Sequence, residues 1–358
     1  MADKIGAAII GAGFGGRVHL PGLQHLDGVR VAGIAASSLE RARQVASPAG
    51  VDGYDDYRRL IDRADVQLVT ISAPAPFHHE MVLAALERGK HVICEKPFAG
   101  SVQQAEEMLR LAETAGVVHA IDFEFRYTAA RQQVKALVEQ GYVGQPRVFN
   151  AVLMGRMRGD PNQEVLPWSV TREGMGGPLG AVGVHLMDAA CWIMGEPASV
   201  SAQLDTVFTH RRVKGGQTVP ATCDDNCAIT LHFRGSGVAN VDCTVVAGQL
   251  AQPLEVHGSQ GSLVVPDHFT LLGGQEGGKL EPLAIEDRLR PAAGWAPGGE
   301  ALLPPFTELA SRVLARIRGE GAASFPTFHD GLRSQRLVDA VYRSSDEGRV
   351  ISLGEKAG

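Results

Sequence analysis

The chain has 358 residues, 44% of them hydrophobic and 21% charged, with a formal net charge of −6. That length exceeds one ordinary core and predicts two domains of roughly 100 to 200 residues, while the acidic balance argues against nucleic acid or an anionic membrane as partner and for a small-molecule ligand. No apolar run reaches the ~18 residues that span a bilayer, and Asp3 and Lys4 flank the first run without a cleavage-type segment behind it, so a cytoplasmic protein is expected.

The apolar run 5–10 leads into Gly11, Gly13 and Gly16, so a strand turns on glycines into a helix, as a dinucleotide-binding unit requires. Gly11 permits the tight turn, Gly13 lets the backbone approach a pyrophosphate, and Gly16 lets the helix pack closely on the strand; Phe14 and Gly15 complete the loop. The helix N-terminus offers its free N–H groups to the phosphates. Short β-type runs then alternate with helical ones up to about residue 125, with strands predicted at 7–10, 29–35, 68–73, 91–94 and 117–123. A helix is predicted over 101–115, where Val102, Ala105, Met108, Leu109 and Ala112 form one apolar face, Ser101 and Gln104 a capping box, and Gly116 the stop.

The ends of these strands carry the polar residues. After 29–35 the chain reads Ala35, Ala36, Ser37, Ser38, then Arg41 and Arg43, with no carboxylate for a ribose 2′-hydroxyl. Hydroxyls beside a guanidinium suit a 2′-phosphate, which makes NADP the preferred cofactor and NAD the alternative; the other reading is that Ser37 and Ser38 cap the next helix while the arginines line its solvated face. Ala73, Pro74 and His78 follow the strand at 68–73, where open α/β sheets place their ligands, and are expected to wall the cofactor. His78 and His79 can also be plain turn or helix-start residues, and Pro74 and Pro76 shape the loop. Glu95, Lys96 and Pro97 follow 91–94; Lys96 there can bind a substrate hydroxyl and stabilise a developing alkoxide, with Pro97 fixing the turn. The other reading is a surface Glu and Lys pair.

A helix is predicted near 128–140, stopped by Gly141, and then β-type runs at 198–208, 227–233, 237–246 and 262–265 follow one another as in a mostly antiparallel sheet. Residues 272–305, rich in Gly and Pro and containing Trp295, read as an irregular surface excursion that can serve as a lid. A closing helix is predicted over 330–345, with Leu332, Leu337, Val338, Val341 and Tyr342 at helical spacing. Between these, Gly176, Gly177 and Gly183 lead to His185, Asp188 and Trp192, which share one helical face. His185 is a candidate base with Asp188 orienting it, or else a satisfied core histidine. Arg126, Tyr127 and Trp168 are candidates for contacting a polyol, with Arg156, Arg158 and Arg172 as secondary ones. Cys94, Cys191, Cys223, Cys227 and Cys243 are odd in number and scattered, which predicts buried thiols in a reducing compartment. Cys223 and Cys227 lack a second pair at zinc spacing, so no metal is expected.

The glycine fingerprint, Glu95-Lys96-Pro97, and the run from Gly176 through His185 to Asp188 together resemble the Gfo/Idh/MocA oxidoreductase family, over nearly the whole chain. Arg126-Tyr127, residues 141–146, and the closing run from Asp339-Ala340 to Glu347-Gly348-Arg349 match as well. The resemblance implies an α/β fold: an N-terminal Rossmann domain over 1–125, and a C-terminal α/β domain over 126–358 whose large, mostly antiparallel open sheet forms homodimers or homotetramers. It also implies a bound NAD or NADP, Lys96 and His185 as catalytic residues, and a sugar, cyclitol or related polyol as substrate. One departure stands out: inositol-type members carry an Asp four residues before the His, where this chain has Ala181 in Leu179-Gly180-Ala181-Val182-Gly183. The implied activity is a dehydrogenase or reductase acting on a secondary hydroxyl or ketone. The alternatives are a glycosidase-like enzyme using transient sugar oxidation, and a non-catalytic nucleotide-responsive regulator, which Ala181 favours.

Overall fold

The computed structural model describes residues 4–156, 159–267, 269–286, 301–321 and 324–354. These residues form two compact units, 4–127 with 301–333, and 128–286 with 334–354.

In the first unit, β1 (Ile5–Ile10), β2 (Val29–Ala35), β3 (Asp52–Tyr54), β4 (Leu68–Ile71), β5 (His91–Cys94) and β6 (His119–Ile121) form a parallel sheet in the order β3-β2-β1-β4-β5-β6. Every residue of β1 and β4 is buried, which is why both read as unbroken apolar runs. Strand β3 was not expected from the sequence, because three residues carrying an Asp and a Gly give no β-type pattern; pairing with β2 alone makes it a strand. Five helices connect the strands: α1 (Leu20–His25), entered through a wide turn over Gly15–His19, α2 (Leu39–Ala46), α3 (Tyr57–Ile61), α4 (His78–Leu86) and α5 (Val102–Ala115). The ends of α5 follow the sequence closely. Ser101 Oγ accepts the Gln104 N–H at 3.2 Å, and Gly116 closes the helix in the left-handed region at φ 61°.

The second unit contains α6 (Ala129–Glu139), β7 (Pro146–Met154), α7 (Val184–Met194), β8 (Pro197–Asp205), a hairpin of β9 (His210–Arg212) and β10 (Thr218–Pro220), β11 (Asn226–Phe233), β12 (Val238–Thr244), β13 (Leu254–Gly258), β14 (Gly261–Val265), β15 (Leu272–Gln275) and β16 (Glu281–Pro282). Helices α8 (Leu303–Ile317) and α9 (Phe328–Glu347) and the short β17 (Ile351–Ser352) follow. Among the described residues the large sheet has nine strands in the order β16-β15-β14-β13-β7-β12-β11-β8-β17, with β12 and β7 parallel and the other neighbours antiparallel. Phe149, Ala151 and Leu153, Ala239 and Val241, and Ile229 and Leu231 are buried at alternate positions, so one face of the sheet is core.

Three sequence expectations change. Strands β7 and β13 were not foreseen: β7 carries Arg147 and Asn150 among its apolar residues, and β13 is only five residues long with Glu255 and His257 among them. Part of the supposed excursion, 272–282, pairs onto β14 as edge strands; Trp295, with the rest of the proposed lid at 287–300, and Arg158 lie outside the described residues. Finally, α8 groups with the first unit rather than with everything after residue 126. Its Phe306, Leu309, Ala310, Val313 and Leu314 share one buried cluster with Ile5, Ala7 and Ile9 of β1 and Leu20 and Leu23 of α1, so the helix completes the first core. Its two prolines fall in the first turn, where no intrahelical N–H is lost.

All five cysteines are free and buried. Cys227 stands opposite Cys243 across β11 and β12. Among the described residues no helix is long and apolar enough to cross a membrane.

Candidate active site

The strand order of the first unit reverses at β1 and β4, and the loops after β1, β2, β4 and β5 are those in which such sheets bind ligands. Gly11 sits at φ +112°, and a Cβ there would lie 2.5 Å from the Ser72 carbonyl oxygen, so only glycine fits the turn. A Cβ on Gly13 would meet nothing within 4 Å, which leaves bare backbone facing open space, as close approach of a pyrophosphate demands. The task assigned to Gly16 belongs to its neighbour: Gly15 lies against Ile9 of β1 and Ser72, whereas Gly16 makes room for Val45 of α2. Phe14 turns its ring edge to His19, with centroids 5.5 Å apart.

Ser37, Ser38 and Arg41 are exposed after β2, and Ser38 Oγ caps α2 by accepting the Arg41 N–H at 3.2 Å. After β4, Ala73 and Pro74 lead into a short turn over Ala75–Phe77, and His78 is fully buried. Its Nε2 lies 2.8 Å from the Ala73 carbonyl oxygen and its Nδ1 2.9 Å from that of Pro97, so the ring ties the loop after β4 to the loop after β5. Burial pushes its pKa down. His79 pairs instead with Glu107 of α5 at 2.8 Å.

Lys96 is half-buried and joined to Pro97 by a cis peptide bond. Its backbone N–H donates to Glu95 Oε2 at 3.2 Å. Glu95 Oε1 lies 3.1 Å from Nε2 of His19, which is itself 3.3 Å from Oδ2 of Asp122. All three side chains are buried, and the His19 ring stacks on Phe306 with centroids 4.1 Å apart. Burial drives the Asp122 carboxyl well above the usual range, helped by the charges of Glu95 and Glu124. Burial pushes Glu95 the same way, but the hydrogen bond and charge of His19 and the charge of Lys96 outweigh it and hold Glu95 below the usual range.

Arg126 and Tyr127 have structural partners inside the first unit. Arg126 Nη2 donates to Asp330 Oδ1 at 2.8 Å, an oxygen shared with Arg333 at 2.7 Å, while the Tyr127 hydroxyl points to the Ser324 carbonyl at 3.5 Å and Arg312 lies 5.0 Å over its ring. Burial would raise the Asp330 carboxyl, but Arg126 and Arg333 hold it below the usual range.

In the second unit His185 and Asp188 are buried one turn apart on α7. A wide turn over Leu179–Gly183 precedes them, and Asp224 Oδ2 accepts the Leu179 N–H at 2.8 Å. Beside it, Arg211 and Asp225 form a buried ion pair at 2.7 Å. Of residues 174–191 only Ala181 is exposed, one helical turn before His185. Trp168 is 36% exposed on the turn Pro167–Val170. Arg172 is occupied by Asp346, at 2.8 and 3.0 Å, and by the Tyr342 ring 3.9 Å away; Arg156 is exposed.

His19, Asp122 and Asp224 escaped the sequence reading. The signal for two of them was present: a histidine three residues past the last glycine of the loop, and an acid directly after the apolar run 120–121; Asp224, in the polar run 222–226, gave none.

Comparison with known proteins agrees with this geometry. Residues 5–123 match the model of an oxidoreductase family with an NAD-binding Rossmann fold, and residues 131–264 match the Gfo/Idh/MocA C-terminal domain. An uncharacterized oxidoreductase of Synechocystis is 30% identical over 98% of this chain and 97% of its own length. D-glucoside 3-dehydrogenase of Escherichia coli is 33% identical, over 66% of this chain and 69% of its own. The crystal structure of an oxidoreductase domain protein from Kribbella flavida superposes with a TM-score of 0.88 at 30% identity, covering 99% of this chain and all of that one, 100%. The glycine loop with its bare backbone at Gly13, the reversal of strand order at β1 and β4, and the match over both units lead to one conclusion: the chain belongs to the Gfo/Idh/MocA family of NAD-binding oxidoreductases.

Proposed function

We propose that the protein is an NAD(P)-dependent dehydrogenase or reductase acting on a secondary hydroxyl or ketone of a sugar, cyclitol or related polyol. The observation that carries this reading is Lys96: a half-buried ammonium whose backbone is fixed at the end of β5, two strands along the sheet from the glycine loop. The sugar class rests on the relatives, among them D-glucoside 3-dehydrogenase.

Gly11, Gly13, Phe14, Gly15 and Gly16 would hold the pyrophosphate, with Ala73, Pro74, Glu95 and Pro97 lining the loops beyond; His78 acts by tying two of those loops together. When bound, the dinucleotide supplies the two-electron acceptor or donor. Lys96 is assigned to donate a hydrogen bond to the substrate oxygen and stabilise the negative charge that develops there. His185 is assigned to exchange the hydroxyl proton, with Asp188 one turn on as its orienting partner and Trp168 as an exposed aromatic surface for the sugar. NADP is the preferred cofactor, supported by exposed Ser37, Ser38 and Arg41 and by the absence of a carboxylate at residues 35–38.

The assembly assigned is a homodimer or homotetramer through the face of the large sheet opposite its core. There Asn240 donates to Asn150 at 3.0 Å, Asn150 to Glu255 at 3.1 Å, and His257 lies 3.2 Å from the same carboxylate, a half-buried polar ladder across β12, β7 and β13. The compartment assigned is the cytoplasm, with the buried free thiols as support.

The test is a parallel fluorescence titration with NADPH and NADH at one ionic strength, followed by a turnover screen over polyols and keto-sugars with Lys96→Met. Tighter NADPH binding, with turnover abolished and nucleotide affinity kept in the variant, supports the reading. Full turnover in Lys96→Met overturns the role of Lys96, and binding of neither nucleotide overturns the reading as a whole.

A further inference from the structure

We infer that His19, Glu95 and Asp122 form a positioning group for Lys96, in which two buried carboxyls share one proton and the imidazole links them to the nucleotide loop. The inference rests on the proposed role of Lys96 and goes beyond it, because none of the three residues needs to touch substrate.

The three side chains come from three separate elements of the first unit. His19 closes the wide turn that follows the glycine loop, Glu95 follows β5, and Asp122 follows β6. Relative exposures of 0% for His19, 6% for Glu95 and 0% for Asp122 leave water no part in solvating them. A single nitrogen, His19 Nε2, lies 3.1 Å from Glu95 and 3.3 Å from Asp122, so the two carboxyls crowd one donor. Two like charges at such range in a dry interior cannot both persist; one carboxyl keeps its proton. The charges facing the pair decide which. Lys96 acts on both carboxyls, but Glu95 also has the hydrogen bond and charge of His19 whereas Asp122 faces the charge of Glu124, so the proton resides on Asp122 and the negative charge on Glu95. The buried Cys94 thiol, also pushed up by burial, contributes no charge.

The Glu95 carboxylate is then engaged at both oxygens, Oε1 toward His19 and Oε2 accepting the Lys96 N–H at 3.2 Å. That second bond holds the lysine backbone, and the first connects it to the helix that begins at the glycine loop. The stack of His19 on Phe306 and the edge contact with Phe14 restrict the ring to this orientation. Misplacement of a reacting group by about 1 Å can cost on the order of 100-fold in rate, so an anchor of this kind matters to chemistry it never joins.

The test uses the full chain labelled with 13C at the Asp and Glu carboxyls, together with amide hydrogen exchange and NADH fluorescence titration. One carboxyl resonance should remain in its protonated position at pH 7 and vanish in Asp122→Asn. Protection of the Lys96 amide should persist in Asp122→Asn, whose amide donates as the acid does, and fall about 10-fold or more in Asp122→Leu and His19→Leu, with NADH affinity changed less than about 3-fold. No protonated carboxyl at pH 7, equal loss of protection in Asp122→Asn and Asp122→Leu, or a stoichiometric divalent cation among the three groups would each overturn the inference. Should Asp122→Leu fail to fold, the wild-type and Asp122→Asn spectra decide by themselves. Failure of the lysine assignment is separable, since turnover in Lys96→Met and the carboxyl and amide signals of the wild-type protein are independent readouts.

Discussion

Asp224 accepts the backbone N–H of Leu179 at 2.8 Å, across 45 residues of sequence, and thereby fixes the turn that leads into the helix bearing His185. Removing a buried acceptor strands its donor, which costs about 1–3 kcal/mol. Asp224→Ala is expected to lose that much in urea unfolding and to expose the Leu179 amide to hydrogen exchange, while Asp224→Asn, which keeps an oxygen acceptor, recovers most of both. Wild-type protection in Asp224→Ala would remove the anchor.

The glycine loop separates a binding effect from a stability effect. A Cβ at Gly13 enters open space, so Gly13→Ala should keep the melting temperature yet weaken nucleotide binding by about 10-fold or more, roughly 1.4 kcal/mol. At Gly15 the added carbon meets Ser72 and lies 3.0 Å from Ile9, and Gly15→Ala should cost about 1–3 kcal/mol in folding. Calorimetry and NADH titration of the two variants distinguish the cases.

The loop after β2 poses a choice between capping and phosphate recognition. Arg41→Ala should weaken NADPH about 10-fold and leave NADH unchanged. Ser38→Ala should cost about 1 kcal/mol of stability whichever nucleotide is present, because its oxygen caps α2. Equal effects of Arg41→Ala on the two nucleotides would remove the 2′-phosphate assignment.

Helix α8 is expected to behave as core of the first unit. Phe306 is fully buried, and Phe306→Ala should lower stability by about 3–5 kcal/mol in denaturant unfolding. A loss below about 1 kcal/mol would place the helix outside that core.

Stability should fall on mild acidification. His119 accepts the Phe328 N–H on Nδ1 at 3.2 Å, and burial pushes its pKa down to about 4 from 6.5. With the folded pKa depressed, the unfolded chain takes up the proton first: stability is complete above pH 6.5 and is lost as pH drops toward 4, on the order of 3 kcal/mol in all. Buried His78 and half-buried His91 act in the same direction. Urea melts between pH 7.5 and 4.5 check this, and His119→Gln should flatten the slope.

Much of the first unit was legible in the chain. A parallel sheet buried on both faces needs unbroken apolar strands, and its ligand loops need glycine where backbone must turn or stand bare, so β1, β2, β4 and β5, Gly11 and Gly13 and the ends of α5 all announced themselves locally. The placement of Lys96 at a strand end followed from the same logic. Tertiary structure decided the rest. Strands β3, β7 and β13 exist because a neighbour supplies their hydrogen bonds, and α8 joins the first core through apolar side chains whose partners lie some 300 residues earlier in the chain. His78, Arg126 and Tyr127 carried the right chemistry for a site, and only the folded chain shows that they also engage Ala73 and Pro97, Asp330, and Ser324. His19, Glu95 and Asp122 meet only once the turn after the glycine loop and the ends of β5 and β6 are brought side by side. A sequence records which side chains are available; which polar groups lose their water together, and so must share a proton or find a partner, depends on distances that only the folded chain sets.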